Sequence, residues 1–442
     1  MGFIRWGRTV AETTVQWVPK GSTLPQGPVH DGRSARLETP TRLWLLLGAA
    51  VAAVLTVGLV AGFSLAGRES TASRTAQGTE ALYAEVQRLS YQLADANATA
   101  ATALLSGPET NSAVTSRYNA DVTGAEDLLA AASQRVTGDA YASGELKLVA
   151  EQIPEYSELI GQALAENRLG HPVAGAYLRQ ASLLLTGSML AETGDVAKEQ
   201  QRATTGGIGS ASSFPWWIIL FGALGFVALR IVGRRLSRLS RRRMNLGLLG
   251  ATVAVIGLLG WSLFAFGGAG ITASGASTDF SGISQAQNEI SQISLAETYT
   301  ALQQIDRGED QGDDATAAKA ALKVANPGSA EASSSSAAAL NTALAAYGTF
   351  DKCMVKAIGQ ASAGEYQAAV ATSGGCDSAD ASALHDDLLD VFDQSQAHFE
   401  QQMSSLGGLY AGSGALPVSV VIGVLGALAA AYGVNRRLAE YR

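Results

Sequence analysis

The chain has 442 residues, 47% hydrophobic and only 16% charged, with a mean hydropathy of +0.13. That is too apolar and too charge-poor for an ordinary soluble protein, and a net charge of −8 argues against nucleic acid as a partner. Its two cysteines and four histidines form no cluster with metal-ligand spacing, so no metal or other cofactor is expected.

Residues 1–42 form a tail with six basic and three acidic residues. Its stretch "AETTVQW", Ala11–Trp17, sets Thr13 and Thr14 after a glutamate. Phosphate on either would create a docking charge, although an unmodified tail is the plainer reading. Residues 43–66 are the first apolar run. The run starts too late in the chain, and is too long, for the apolar part of a cleaved leader. A helix of about 20 apolar residues crosses a bilayer, so a span is expected here.

Residues 67–213 read as a four-helix bundle. The heptad stripe Leu82, Val86, Leu89, Leu93, Ala96, Ala100 and Ala103 continues out of the first span and ends at "GPET". A second helix covers Ser112–Arg135. A third carries Leu146, Val149, Ile153, Tyr156, Ile160 and Ala163 to a turn at "LGHP". The fourth, from Val173, leads back to a second span at 214–232, which opens on Trp216 and Trp217 at an aromatic belt. Arg230, near the other end of that span, snorkels.

The loop at 233–245 packs Arg234, Arg235, Arg238, Arg241, Arg242 and Arg243 into ten residues. Basic residues beside a span mark its cytoplasmic side, so these arginines are first a topology lock. Contact with anionic lipid, at about 1 kcal/mol per residue, is a second use, and docking of a cytoplasmic partner a third. A third span at 246–268, a second outer helical module at 269–413, a fourth span at 414–434 and a basic tail at 435–442 complete the chain. Both termini are then cytoplasmic. The two outer modules are acidic, with ten basic against seventeen acidic residues in the first and five against eighteen in the second. The expected fold is an all-α membrane protein with four transmembrane helices and two extracytoplasmic helical-bundle modules.

In the second module helices are expected at about Thr278–Ile305, Leu340–Gly359 and Ala379–Ser405, with a short Ala-rich helix after the acidic turn "DRGEDQGDD". Cys353 and Cys376 lie here, and an oxidising exterior favours a disulfide over two buried thiols. In upright bundles four turns reach far from the membrane: 106–111 and 168–172 in the first module, 306–314 and 361–377 in the second.

No phosphate loop, dinucleotide fingerprint, zinc-protease helix or serine elbow occurs, so no enzyme is expected. His171, His385 and His398 read as solvated or packed, with His398 at the core stripe's edge. The spans hold almost no ionisable residue, which argues against transport. Gly58-x-x-x-Gly62 and the small residues Gly423, Gly426 and Ala430 suit close packing, and a homodimer is one consequence.

The phrases "TPTRLWLLL" (Thr39–Leu47) and "NRLGHPVAGAYLRQASLLL" (Asn167–Leu185), with the ending "RLAEYR", complete a pattern of four spans and two outer modules. Over nearly its whole length the chain resembles the GlnX-type actinobacterial membrane proteins. The resemblance implies a link between an extracytoplasmic glutamate/aspartate-binding lipoprotein and a cytoplasmic serine/threonine protein kinase. It carries over no catalytic residues. Two other readings stay open. The bundles bind a small molecule directly, with Arg117 or Arg179 holding its carboxylate unless these merely form salt bridges, or the chain is a structural envelope protein.

Overall fold

In a computed structural model, residues 39–107, 112–136, 138–240, 246–307, 312–329, 336–376, 381–410 and 414–438 are described. The protein is an all-α membrane protein, with no strand among those residues. Helix α1 (Thr39–Arg74) passes through a π-helical turn, Thr75–Glu80, into α2 (Ala81–Leu105). Then come α3 (Ser112–Arg135) and α4 (Ala140–Arg168), whose first turn is capped by Asp139 accepting from the backbone N–H groups of Tyr141 and Ala142. Helix α5 (Val173–Leu184) runs through a second π-helical turn, Leu185–Met189, into α6 (Leu190–Ser212). After a break at 213–215 come α7 (Trp216–Ser240) and the 61-residue α8 (Leu246–Asp306). The chain continues with α9 (Asp313–Val324), α10 (Ala337–Ser362), α11 (Tyr366–Cys376), α12 (Ser382–Leu409) and α13 (Ala415–Leu438). The turn expected at 361–377 is thus largely helix α11. Its "SGGC" end has poor helix propensity, but Cys376 is fully buried and disulfide-bonded to Cys353 of α10, and that closure holds the segment in place.

Four stretches cross the membrane: the first part of α1, α7, the first part of α8, and α13. Their exposed side chains are apolar, among them Phe63, Leu224, Val253, Phe264 and Leu425, as a lipid-facing surface requires. The inner faces use small residues. A Cβ on Gly58 would lie 3.2 Å from Gly423 Cα, and one on Gly62 would strike Ser419 Oγ. The glycine pair of α1 therefore packs on α13 of the same chain, and the stripe that suggested a homodimer is covered in cis. Phe214, Trp216, Phe266 and Tyr410 form linked ring pairs with centroids 5.3–5.4 Å apart. Trp217 Nε1 donates to Ser64 Oγ at 3.0 Å. These aromatics mark the level at which spans give way to the helical head.

In the head, the two modules expected from sequence pack side by side around a shared core. Leu89, Val149 and Leu178 of the first belong to one buried cluster with Phe280, Ile283 and Phe399 of the second. Tyr83 stacks tilted on Phe280 at 5.2 Å, and Phe280 on Phe399 at 5.9 Å. Fully buried Asn97 binds this seam. Its Nδ2 donates to Ser182 Oγ (3.0 Å) and to Thr298 Oγ1 of α8 (3.3 Å), while its Oδ1 accepts from Tyr156 Oη (3.3 Å). A satisfied buried amide fixes one register between helices, because any slip leaves polar groups unpaired.

The four far turns meet. Asn167 donates to the carbonyls of Leu104 and Gly107, and Tyr366 Oη to that of Arg307. A Cβ on Gly175 would press 2.8 Å from Ile305 Cγ2, so α5 lies against the end of α8. Beside it Arg179 pairs with Asp306 and, at 3.0 Å, with Asp314 at the start of α9. Arg179 is therefore a clamp between modules. The aspartates are largely buried, so losing the cation strands two carboxylates. Arg179→Ala should lower the thermal midpoint of the purified protein and expose the C-terminal end of α8 to protease. Unchanged cleavage there would show that the clamp is dispensable.

Candidate functional site

A cavity of the head lies where α2 and α3 of the first module face α8 and α11 of the second. It has a main lobe of about 340 Å³ lined by Asp95, Thr99, Thr102, Ser106, Arg117 and Glu297. A lobe of about 80 Å³ leads on past Ala301, Met354, Val370 and Ser373. Thr102, Ser106, Glu297 and Gly374 line both lobes, so the two are one cleft. Glu297 is 29 residues beyond the end of the third expected span, which at 1.5 Å per residue places the cleft roughly 40 Å above the membrane.

Helix geometry assembles the polar groups. Asp95 and Thr99, one turn apart on α2, face Arg117 and Asp121, one turn apart on α3. Arg117 Nη2 donates to Asp95 Oδ1 at 3.1 Å and Oδ2 at 3.2 Å, and Thr99 Oγ1 to Asp121 Oδ2 at 3.3 Å. Desolvation opposes the Arg117 charge, but the carboxylates of Asp95, Asp121 and Glu297 outweigh it and raise the guanidinium's pKa, so Arg117 stays charged. Burial, with the Asp95 carboxylate adding to it, pushes Asp121 up to about 7 against the opposing pull of Arg117 and Thr99. The cluster thus sets one guanidinium, that of Arg117, among three acidic side chains, Asp95, Asp121 and Glu297.

Of the residues singled out in the sequence, Arg117 lies in this cleft and Arg179 does not, being held in the clamp. Arg234 and Arg235 are exposed at the end of α7, opposite the head, and Arg238 continues the same helix. Arg241, Arg242 and Arg243, like Thr13 and Thr14, lie outside the described residues. Among the histidines it is His385, not His398, that is buried, with its Nε2 3.3 Å from Ser294 Oγ. No group of three or more His, Cys, Asp or Glu able to hold a metal occurs among the described residues.

Two buried carboxylates escaped the sequence reading. Glu80 closes the π-helical turn and is fully buried, and among the described residues neither of its oxygens has a hydrogen-bond partner. Burial first, then the nearby Glu400, pushes it up to about 8, with Arg88 and Arg135 opposing. Glu289 of α8 is also raised to about 8, by burial. The available signal was position. Glu80 stands one turn before the core residues Tyr83 and Ala84, and Glu289 directly precedes Ile290.

Residues 71–207 match the family model of the actinobacterial sensor domain. The match covers less than a third of the chain, from the last turn of α1 into α6. It includes Asp95, Thr99, Arg117 and Asp121 but stops short of Glu297 and α11. No curated protein and no solved structure matches the chain.

Proposed function

We propose that this chain, whose first head module matches a sensor domain, is a transmembrane signal transducer. It relays extracytoplasmic amino-acid availability to a cytoplasmic serine/threonine kinase. The observation that carries this is α8, one unbroken 61-residue helix from the arginine-bearing end of the membrane bundle to the far tip of the head. At 1.5 Å per residue it is about 90 Å long. The α1–α2 rod, jointed only at Thr75–Glu80, runs beside it. A small slide or rotation of one rod against the other at the tip reaches the opposite membrane face as a rigid displacement.

The input follows from the resemblance noted above. A solute-binding lipoprotein carrying glutamate or aspartate contacts the acidic head, and the kinase docks on the basic elements. By the positive-inside rule the arginines of 234–243 support a cytoplasmic position for that loop and for both termini. The membrane is the cell membrane, and anionic lipid there neutralises arginines not held by the partner.

The test is recovery of partners with the intact protein from native membrane, with and without glutamate. The lipoprotein and the kinase should both be recovered, the yield changing with glutamate. Replacing Arg241, Arg242 and Arg243 by Glu, with Arg234, Arg235 and Arg238 kept to preserve insertion, should cut kinase recovery at least tenfold and leave the lipoprotein unaffected. Unchanged kinase recovery would remove the docking role. Recovery of neither partner from folded wild-type protein would remove the relay.

A further inference from the structure

We propose that the cleft between the modules is a binding site for a small α-amino acid of zero or positive net charge. Such a ligand is held by its carboxylate on Arg117 and by its ammonium group between Glu297 and Asp95. The proposal rests on the sensor reading for its consequence, but the site itself stands on geometry.

Arg117 is half-exposed, and only its Nη2 is engaged by Asp95. Among the described residues no protein acceptor meets its Nη1 or Nε, and Arg117 lines the cleft, so part of the guanidinium is open to a carboxylate. The ammonium end is set by the surplus of negative charge. Glu297 and Asp95 line the cleft with Arg117 as the cation, and Asp121 adds part of another charge. Two helix C-termini add to this. Thr102 and Ser106 lie at the end of α2, and Ser373 and Gly374 in the last turn of α11, where helix dipoles are negative. A second carboxylate on the ligand would meet this field and be repelled, so glutamate itself is a poor occupant.

The small lobe takes the ligand's side chain, between apolar Met354, Val370 and Ala301. At its wall Ser373 Oγ donates to Gln304 Oε1 at 3.1 Å. A ligand seated here touches α2 and α3 on one side and α8 and α11 on the other. It thereby ties together the two rods that continue into the membrane.

The experiment is calorimetric titration of the full-length protein in lipid nanodiscs with four probes: L-lysine, L-glutamine, L-glutamate and putrescine. L-lysine or L-glutamine should bind, at least tenfold more tightly than L-glutamate and than putrescine, which lacks the carboxylate. Arg117→Gln should abolish binding. So should Val114→Trp, which fills the main lobe without removing a charge and guards against a folding defect in the first variant. Absence of binding by both amino acids, preference for L-glutamate, or equal binding of putrescine would overturn the proposal. Partner recovery separates this from the relay. Absent binding with glutamate-dependent kinase recovery intact sinks the site and keeps the relay. Binding that survives while partner recovery fails keeps the site and sinks the relay.

Discussion

Gly247→Leu should disrupt the membrane bundle, while Gly257→Leu, ten residues further along the same helix, should be tolerated. Gly247 sits where the first turn of α8 crosses the end of α13. A Cβ there would lie 2.5 Å from Gly433 Cα and would strike the carbonyl oxygen of Ala429. Both are backbone atoms, so no rotamer change relieves the contact, and the helices must separate along the crossing. The same face then loses the packing of Val255 and Leu258 against the α1 and α7 residues Val54, Val57 and Leu229. Overpacking of this kind costs about 3 kcal/mol at the upper end of the usual range. A Cβ on Gly257 meets nothing within 4 Å. In detergent, Gly247→Leu should lower the thermal midpoint by about 3 °C, with Gly257→Leu close to wild type. Equal midpoints for the two variants would mean that α8 and α13 do not cross at these glycines.

Stability should fall as pH rises from 5 to 8, and Glu80→Gln should remove a large part of that fall. The free carboxyl value is 4.5, and both Glu80 and Glu289 are raised to about 8 by burial. Between those values the folded protein keeps a proton that the unfolded chain has lost. The unfolded state therefore binds fewer protons, and stability declines as pH rises through the window. Below 4.5 both states are protonated and the effect is flat; above about 8 both are ionised and the stabilisation is gone. The ceiling is on the order of 4 kcal/mol per carboxylate. Glu80→Gln keeps the neutral shape, so its thermal midpoint should match wild type at pH 5 and exceed it at pH 8. Glu289→Gln should behave the same way, and the double variant should keep only a residual slope, which Asp121, raised to about 7, supplies. A wild-type midpoint constant from pH 5 to 8 would mean that water or a counter-charge reaches these groups. Because Glu80 closes the joint between α1 and α2, its ionisation would be felt where the head meets the first membrane rod.

The heptad stripe of α2 was legible as one face of a bundle. What that stripe concealed was the other face. Residues Leu93–Ala101 are all buried, polar ones included. The signal was in the sequence, since "LADANATAA" has small residues all round the helix, and such a helix is enclosed rather than half-exposed. Periodicity looks for contrast between two faces and is blind to a helix with none. Arg179 could be recognised as a cation on a helix, but its partners, Asp306 and Asp314, lie more than a hundred residues away. Charge pairing at that range follows from packing, not from spacing. Helix α11 was missed because its glycines argue for a turn, while the disulfide that holds it in place acts from another helix.

By itself the sequence determined the four spans and most helices of the head, among them one expected at about Ser112–Arg135 and found there. Those are local matters. Transfer of about 20 apolar residues into lipid, and the repeat of 3.6 residues per turn, are properties of a segment whatever surrounds it. Only the tertiary structure decided that the two modules share a core, that the glycine stripe of α1 is covered by α13, and that Arg117 opens on a cleft while Arg179 closes a clamp. Those depend on which face meets which. The energies that choose among faces, from backbone clashes at glycine, desolvated carboxylates and a buried amide needing several partners at once, arise only when distant segments come into contact.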